Sequence, residues 1–407
     1  MKRLVVSVYA LFFLLLVSCG ISEQDPKSSD GSVISDNDVD TKTELKLAPL
    51  TALKTVGVDT KHFWTGGPVG HADGKDLLKR AEIAEELGFS HLRIFACADW
   101  IIDLYCKGIH QSERQIIKSV RQILRNTDLH LVLTFHGYRS VMTSSGKLKT
   151  KLNTEIENSE IAREKFIKTW GKFSEEFSDV HASRLSFNLL NEPEYEFPNI
   201  SDRKLEKWES LAGRAIEEIR KYSPDRIIIY EGIGKSLFDS KHTTTRQNRY
   251  SNISEIIRPL PFENIVYGFH PYEPKEFTQQ ASYRGNASGK TFSKYHEDVI
   301  RSAAKRLRSW AIKNQVPVMI SETGCISYTD GKTEGPANPD DCGKWASILK
   351  EEYLDHGIGV TYHALEKEKT IFKRQPKDAC DKRKQCWYWL PTKLEVNEHL
   401  LRGFGLN

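Results

Sequence analysis

Eight short apolar runs, at 56–59, 91–95, 130–136, 185–192, 226–231, 265–270, 318–322 and 358–364, alternate along the chain with stretches of helical periodicity. Runs this short, bounded by Gly, Pro and polar residues, read as buried strands. The intervening segments 73–87, 112–124, 158–177, 202–222, 295–312 and 340–356 read as helices. In the first of them Leu77, Leu78, Ala81, Ala84 and Leu87 fall on one face, and Gly88 follows as a C-terminal stop. Strands separated by helices pair in parallel, because a parallel crossover needs a helix-sized connection. Eight such units point to a closed (β/α)₈ TIM barrel with long loops on one face. A doubly wound open sheet is the alternative architecture. The first strand is not followed by Gly-x-Gly-x-x-Gly, which weakens a dinucleotide-binding version of it.

In a barrel the chemistry sits at the C-terminal strand ends. The run 185–193, Leu-Ser-Phe-Asn-Leu-Leu-Asn-Glu-Pro, stops on Asn191-Glu192-Pro193, and a second run stops on Glu322-Thr323-Gly324. The other expected strands end on Arg93, His136, Glu231, His270 with Tyr272, and His363. Cleavage of a glycosidic bond calls for these residue types. One carboxylic acid protonates the leaving oxygen while a second, ionised, attacks the anomeric carbon. An Arg beside the second keeps it ionised, a Tyr hydroxyl orients it, and an amide beside the first bonds the sugar 2-hydroxyl.

The set Arg93, His136, Asn191-Glu192-Pro193, His270-Pro271-Tyr272 and Glu322-Thr323-Gly324 resembles glycoside hydrolase family 5, the cellulase family of retaining barrel glycosidases. The resemblance covers nearly the whole chain after residue 48, in the family's order. It implies Glu192 as acid/base and Glu322 as nucleophile, with Arg93 and Tyr272 beside the nucleophile. It implies that His136, Asn191 and His270 line the subsite of the attacked sugar. The expected reaction is retaining, endo-type hydrolysis of a β-linked glucan or mannan, with neither metal nor organic cofactor. One departure concerns the last strand, where the family usually places a Trp under the sugar. Here Thr361-Tyr362-His363-Ala364 puts His363 there, or Tyr362 if the register slips by one. That departure keeps a second function class open, a glycan-binding protein that has lost turnover; a transglycosylase on the same barrel is a third.

Other residues carry two readings. Glu231 reads as an internal ion pair. His136, His270 and Tyr272, each taken singly, also suit a packed core. Trp64, Trp100 and Trp387-Tyr388-Trp389 suit either sugar stacking or burial. The basic loop 235–249 reads as a solvated surface or as a site favouring an acidic glycan.

At the N-terminus, Lys2-Arg3 precede an apolar run too short to span a bilayer and ending in Leu16-Val17-Ser18-Cys19-Gly20. This resembles a bacterial lipobox, so residues 1–19 are expected to be a lipoprotein signal and Cys19 the lipidated residue. An ordinary secretory cleavage is the alternative. Residues 20–48, rich in Ser, Asp, Lys and Thr, read as a flexible tether, and 49–407 as the catalytic domain. The expected location is the bacterial cell envelope, outer membrane or surface, with the bilayer and a β-linked glycan as partners and the protein a monomer. Six further cysteines form three close pairs, Cys97 with Cys106, Cys325 with Cys342 and Cys380 with Cys386. Local disulfides are expected, although fifteen pairings are open and free buried thiols are the alternative. No cysteine spacing suggests zinc. A net charge of +4 from 59 basic and 55 acidic side chains excludes nucleic acid as the main partner.

Overall fold

The computed structural model describes residues 56–60, 75–104, 112–137, 139–142, 148–193, 201–233, 253–280, 289–326, 335–338, 340–363 and 397–406. Eight parallel strands close into a barrel: β1 (Val56–Thr60), β2 (His91–Cys97), β3 (His130–His136), β6 (Leu185–Asn188), β7 (Ile227–Glu231), β8 (Ile265–Phe269), β9 (Val318–Thr323) and β10 (Gly359–Tyr362). They neighbour one another in that order, and β1 pairs with β10 to complete the ring, Val58 opposite Tyr362. Closure rules out the open doubly wound sheet. The helices between strands are α1 (Lys75–Glu86), α2 (Glu113–Asn126), the short α3 (Lys151–Asn158), α4 (Glu160–Glu176), α5 (Asp202–Arg220), the one-turn α6 (Lys275–Thr278), α7 (Lys294–Asn314) and α8 (Asp341–Glu352), with α9 (Glu398–Phe404) last.

Period-two alternation sorts each strand between two cores. In β7, Ile227 and Ile229 point inward and join Val132, Val266 and Met319 in a small cluster inside the barrel. Ile228 and Tyr230 point outward into the large core between sheet and helices. Indoles from the helices hold the strand ends in place. Trp170 of α4 donates to the Leu189 carbonyl at 3.1 Å, and Trp208 of α5 donates to the Glu231 carbonyl at 2.8 Å.

The floor of the barrel is polar. His91 Nε2 meets Thr361 Oγ1 at 2.8 Å, and His130 Nε2 meets Ser186 Oγ at 3.0 Å. Both imidazoles are fully buried, and burial pushes their pKa values down to about 3 and about 4.

One local expectation needs correcting, and two features are additional. The expected strand 185–192 ends at Asn188, and Asn191 and Glu192 lie on the turn beyond it. The expected helix 158–177 is α4, and a further short helix, α3 (Lys151–Asn158), precedes it, the two separated at Ser159, which is extended and caps α4 by accepting from Ala162 N–H. Before α3 an antiparallel hairpin, β4 (Ser140–Met142) with β5 (Leu148–Thr150), leaves the barrel.

Cys325, three residues after Glu322, is bonded to Cys342 in α8 with a Cα separation of 6.1 Å at a sequence separation of 17. A loop of that length makes the crosslink worth about 3 kcal/mol. Cys97 is likewise disulfide-bonded. Cys19, Cys106, Cys380 and Cys386 lie outside the described residues, as do Trp64, the 387–389 aromatics and the basic loop.

Candidate active site

All eight expected site residues gather at the C-terminal mouth of the barrel. Arg93 of β2, completely buried, is the hub. Its Nη1 donates to Glu322 Oε2 at 3.0 Å, and its Nη2 donates to Asn191 Oδ1 at 2.9 Å and to Glu231 Oε1 at 2.8 Å. A buried guanidinium is stable only when its N–H groups meet acceptors, and here two carboxylates and an amide supply them. The Tyr272 hydroxyl donates to the other oxygen of Glu322, Oε1, at 2.6 Å. Both oxygens of Glu322 are therefore fixed, and its side chain is only 9% exposed. Glu192 is more open, with 24% of its side chain exposed.

His270 joins the acidic groups. Its Nδ1 lies 2.9 Å from Glu192 Oε1 and 4.0 Å from Glu322 Oε2. Its Nε2 lies 3.1 Å from Glu231 Oε1, an ion-pair distance. Burial alone lowers the pKa of this ring, but Glu231, Glu322 and Glu192 outweigh it and raise the value to about 10. His270 is therefore an imidazolium at neutral pH. One oxygen each from Glu192 and Glu322 and one His270 nitrogen lie within 4.8 Å of one another, a separation at which three ligands can hold a metal. With its ring protonated, His270 links the two carboxyls in a proton network.

Glu231 is an internal anchor, as its ion-pair reading expects. Its Oε1 also accepts from Asn188 Nδ2 at 2.5 Å and Ser321 Oγ at 3.2 Å, and its Oε2 accepts from the Glu192 backbone N–H at 2.8 Å. Burial raises its pKa, and the neighbouring His270 and Arg93 cations reverse that, leaving it below the ordinary carboxylate value. Space for this side chain comes from β8: a Cβ on Gly268 would fall 2.7 Å from Ser321 Oγ and 3.1 Å from Glu231 Cγ.

His363 resolves the register of the last strand. Its ring is in the site, with Nδ1 3.9 Å from Glu322 Oε1. Tyr362 instead faces the helices, where its hydroxyl donates to the Cys325 carbonyl at 2.9 Å and its ring packs on Trp345 and Phe404. Phe95 is a site residue that sequence reasoning missed. Its ring centroid is 5.3 Å from His136 and 6.2 Å from His363, and the Arg93 guanidinium lies over it at 4.5 Å. The signal was present, since period two places Phe95 on the same face as Arg93. Trp100 packs edge-on against Phe135 at 6.1 Å, among the helix-side aromatics, which favours its burial reading.

Glu192 has φ +48°. A non-glycine residue in this left-handed region costs about 1–2 kcal/mol unless its surroundings impose it. Its N–H is held by Glu231, and its carbonyl accepts from Asn153 Nδ2 of α3 at 2.8 Å.

Comparison with known proteins agrees with this geometry. The family described as Cellulase (glycosyl hydrolase family 5) matches residues 59–367. Endoglucanase H of Acetivibrio thermocellus is 26% identical over 218 residues, which are 52% of this chain and 20% of that protein. Cellodextrinase A of Ruminococcus flavefaciens is 23% identical over 282 residues, covering 67% of this chain and 73% of the relative. Endoglucanase 3 of Fibrobacter succinogenes is 23% identical over 241 residues, covering 49% and 32%. The chain thus spans a fifth of the length of the first relative and about a third of that of the third. Among solved structures, Thermotoga maritima Cel5A in complex with mannotriose superposes with a TM-score of 0.61 at 19% identity, over 87% of this chain and 98% of that one. The Clostridioides difficile cellulose synthase subunit Z gives 0.58 at 20% identity, over 86% and 99%. These two likenesses speak for the barrel, and the family match takes in most of the strands that carry the site. The chain belongs to the cellulase family, glycosyl hydrolase family 5.

Proposed function

We propose that the chain is a retaining β-glycosidase that cleaves a β-linked glucan or mannan internally, with Glu322 as nucleophile and Glu192 as acid/base. The observation that carries this is the separation of the two carboxyls, whose oxygens approach within 4.8 Å. Retaining enzymes hold their pair about 5–5.5 Å apart, whereas inverting enzymes leave about 6.5–9.5 Å for a water molecule. The charge balance supports these roles. Three carboxyls, Glu192, Glu231 and Glu322, face two cations, Arg93 and His270. One proton neutralises the cluster. Glu231 is held ionised, and Glu322 accepts from both Arg93 and Tyr272, so the proton falls to Glu192.

In the first step a Glu322 oxygen attacks the anomeric carbon, the bond to the leaving oxygen breaks, and Glu192 gives that oxygen its proton. His270 then stabilises the carboxylate left behind. In the second step Glu192 takes a proton from water, the water oxygen attacks the anomeric carbon, and Glu322 is released. Asn191, oriented by Arg93, supplies an amide for the sugar 2-hydroxyl, and His363, His136 and Phe95 wall the subsite.

Internal cleavage and a glucan or mannan substrate are supported by the names of the relatives, two of them endoglucanases, and by the mannotriose bound to the Thermotoga protein. The test is a hydrolysis screen over β-glucans and mannans with proton NMR of the first product. The β-anomer should appear before mutarotation, and an α-anomer would rule out double displacement. Longer oligosaccharides in place of hydrolysis products would point to transglycosylation, and no turnover on any glycan would leave the binding-protein reading.

The N-terminal sequence supports a lipid-anchored, exported protein, carrying its anchor at Cys19. Cys19→Ala should move the protein from the membrane fraction to the soluble fraction and abolish palmitate labelling. Labelling that survives the substitution would remove the anchor assignment.

A further inference from the structure

The left-handed backbone of Glu192 is gripped from both sides, and one grip comes from outside the barrel. Asn153 is the third residue of α3, whose N-cap Thr150 accepts the Asn153 backbone N–H at 3.3 Å. That leaves the Asn153 side chain, 8% exposed, to reach across to the Glu192 carbonyl at 2.8 Å. The helix sits close enough because residue 137, directly after β3, is glycine. A Cβ there would fall 2.8 Å from Leu152 Cβ and 2.9 Å from Thr150 Cβ. On the opposite side of Glu192, the Glu231 carboxylate takes its N–H.

We propose that Asn153 is a positioning residue for the acid/base. Together with Glu231 it clamps the Glu192 backbone at φ +48°, which aims the carboxyl at His270 and at the leaving oxygen. Glu231 also anchors Arg93 and so touches the nucleophile side, whereas Asn153 reaches the chemistry through the Glu192 carbonyl. The hairpin–helix insertion β4–β5–α3 is on this account part of the catalytic apparatus. The inference rests on the assignment of Glu192 as acid/base, and it predicts a dependence on the leaving group.

The test compares wild type with Asn153→Leu, which keeps the volume and removes the donor, and with Asn153→Ala. Phenyl β-cellobioside needs protonation of its leaving group; 2,4-dinitrophenyl β-cellobioside does not. For Asn153→Leu, kcat/KM on the phenyl substrate should fall roughly 10- to 100-fold more than on the dinitrophenyl substrate. Equal losses on both would mean a structural role alone, and no loss on either would mean no role; each overturns the proposal. A crystal structure of Asn153→Leu or Asn153→Ala reads the clamp without substrate. Glu192 should leave the left-handed region and its carboxyl should withdraw from His270, and an unmoved Glu192 overturns the proposal. Should wild type hydrolyse neither cellobioside, the functional assignment fails for that sugar while the crystal structure still decides the clamp.

Discussion

The Glu322→Gln protein should hydrolyse its glycan about 10,000-fold more slowly than wild type, or worse, while remaining folded. The amide is isosteric and its oxygen still accepts the Tyr272 hydroxyl; Arg93 loses its bond to residue 322 but keeps those to Glu231 and Asn191. What disappears is the negative oxygen that attacks carbon. The same substitution should abolish covalent capture by a 2-deoxy-2-fluoro glycosyl donor, which in wild type should add its mass to the peptide carrying Glu322. Glu192→Ala should behave differently. It should lose turnover on substrates with poor leaving groups, retain much of it on dinitrophenyl glycosides, and form a β-glycosyl azide when azide is supplied. Unimpaired turnover in Glu322→Gln, or label on another residue, would remove the assignment.

The second large effect is on stability in acid. His91 Nε2 is hydrogen-bonded to the Thr361 hydroxyl, and its Nδ1 is buried without a hydrogen-bond partner among the described residues. A proton placed there would be an unsatisfied buried charge. His130 gives its Nδ1 proton to the Ser183 carbonyl at 2.8 Å, and its Nε2 accepts from Ser186. Burial lowers the pKa of His91 to about 3, assisted by the neighbouring His130 and Arg93. Burial likewise brings His130 to about 4, with Arg226 and Arg184 assisting against the bond to Ser183. Both values lie below the unfolded-state value of about 6.5, so on acidification the unfolded chain takes up the protons first. Stability from this pair is fully present above pH ~6.5 and drains away as pH falls toward the folded values. Between pH 7 and pH 4.5 the two rings together should cost about 5 kcal/mol, comparable to the whole stability of many domains. His270 does not act in this window, because its value is raised to about 10 and its contribution is lost on the alkaline side. Urea unfolding across this range should show the loss, and His91→Gln should reduce the slope by about half. A flat profile from pH 7 to pH 4.5 would contradict the floor described for the barrel.

Much of this molecule is legible in its sequence, for a reason visible in β7. A strand covered on both faces must be apolar nearly throughout, so Ile227, Ile228, Ile229 and Tyr230 announce it without any alternation. The same rule makes Glu231, at the end of that run, conspicuous. The insertion after β3 gives no such signal. Its hairpin scatters Val141, Met142 and Leu148 among Ser, Thr, Lys and Gly with no long apolar run, and α3 has only Leu152 and Ile156 as buried apolar residues. Asn153 is accordingly invisible in sequence, since its role depends on a tertiary approach made possible by Gly137. Trp100 shows an ambiguity of another kind. Indoles suit sugar platforms and helix packing equally well, and only its place beside Phe135 decides between them.

Closure of the barrel has a consequence for how activity arises. Arg93 comes from the second strand of the ring, Glu322 from the seventh and His363 from the stretch just after the eighth, so no contiguous segment of the chain holds a working set. The strand that seals the circle, β10, joins β1 across almost the full length of the domain, and such distant pairings are the slow ones to form. Catalysis is therefore a gauge of completion: a partly folded chain has its acids scattered and inert, and the first turnover marks the moment the ring is whole.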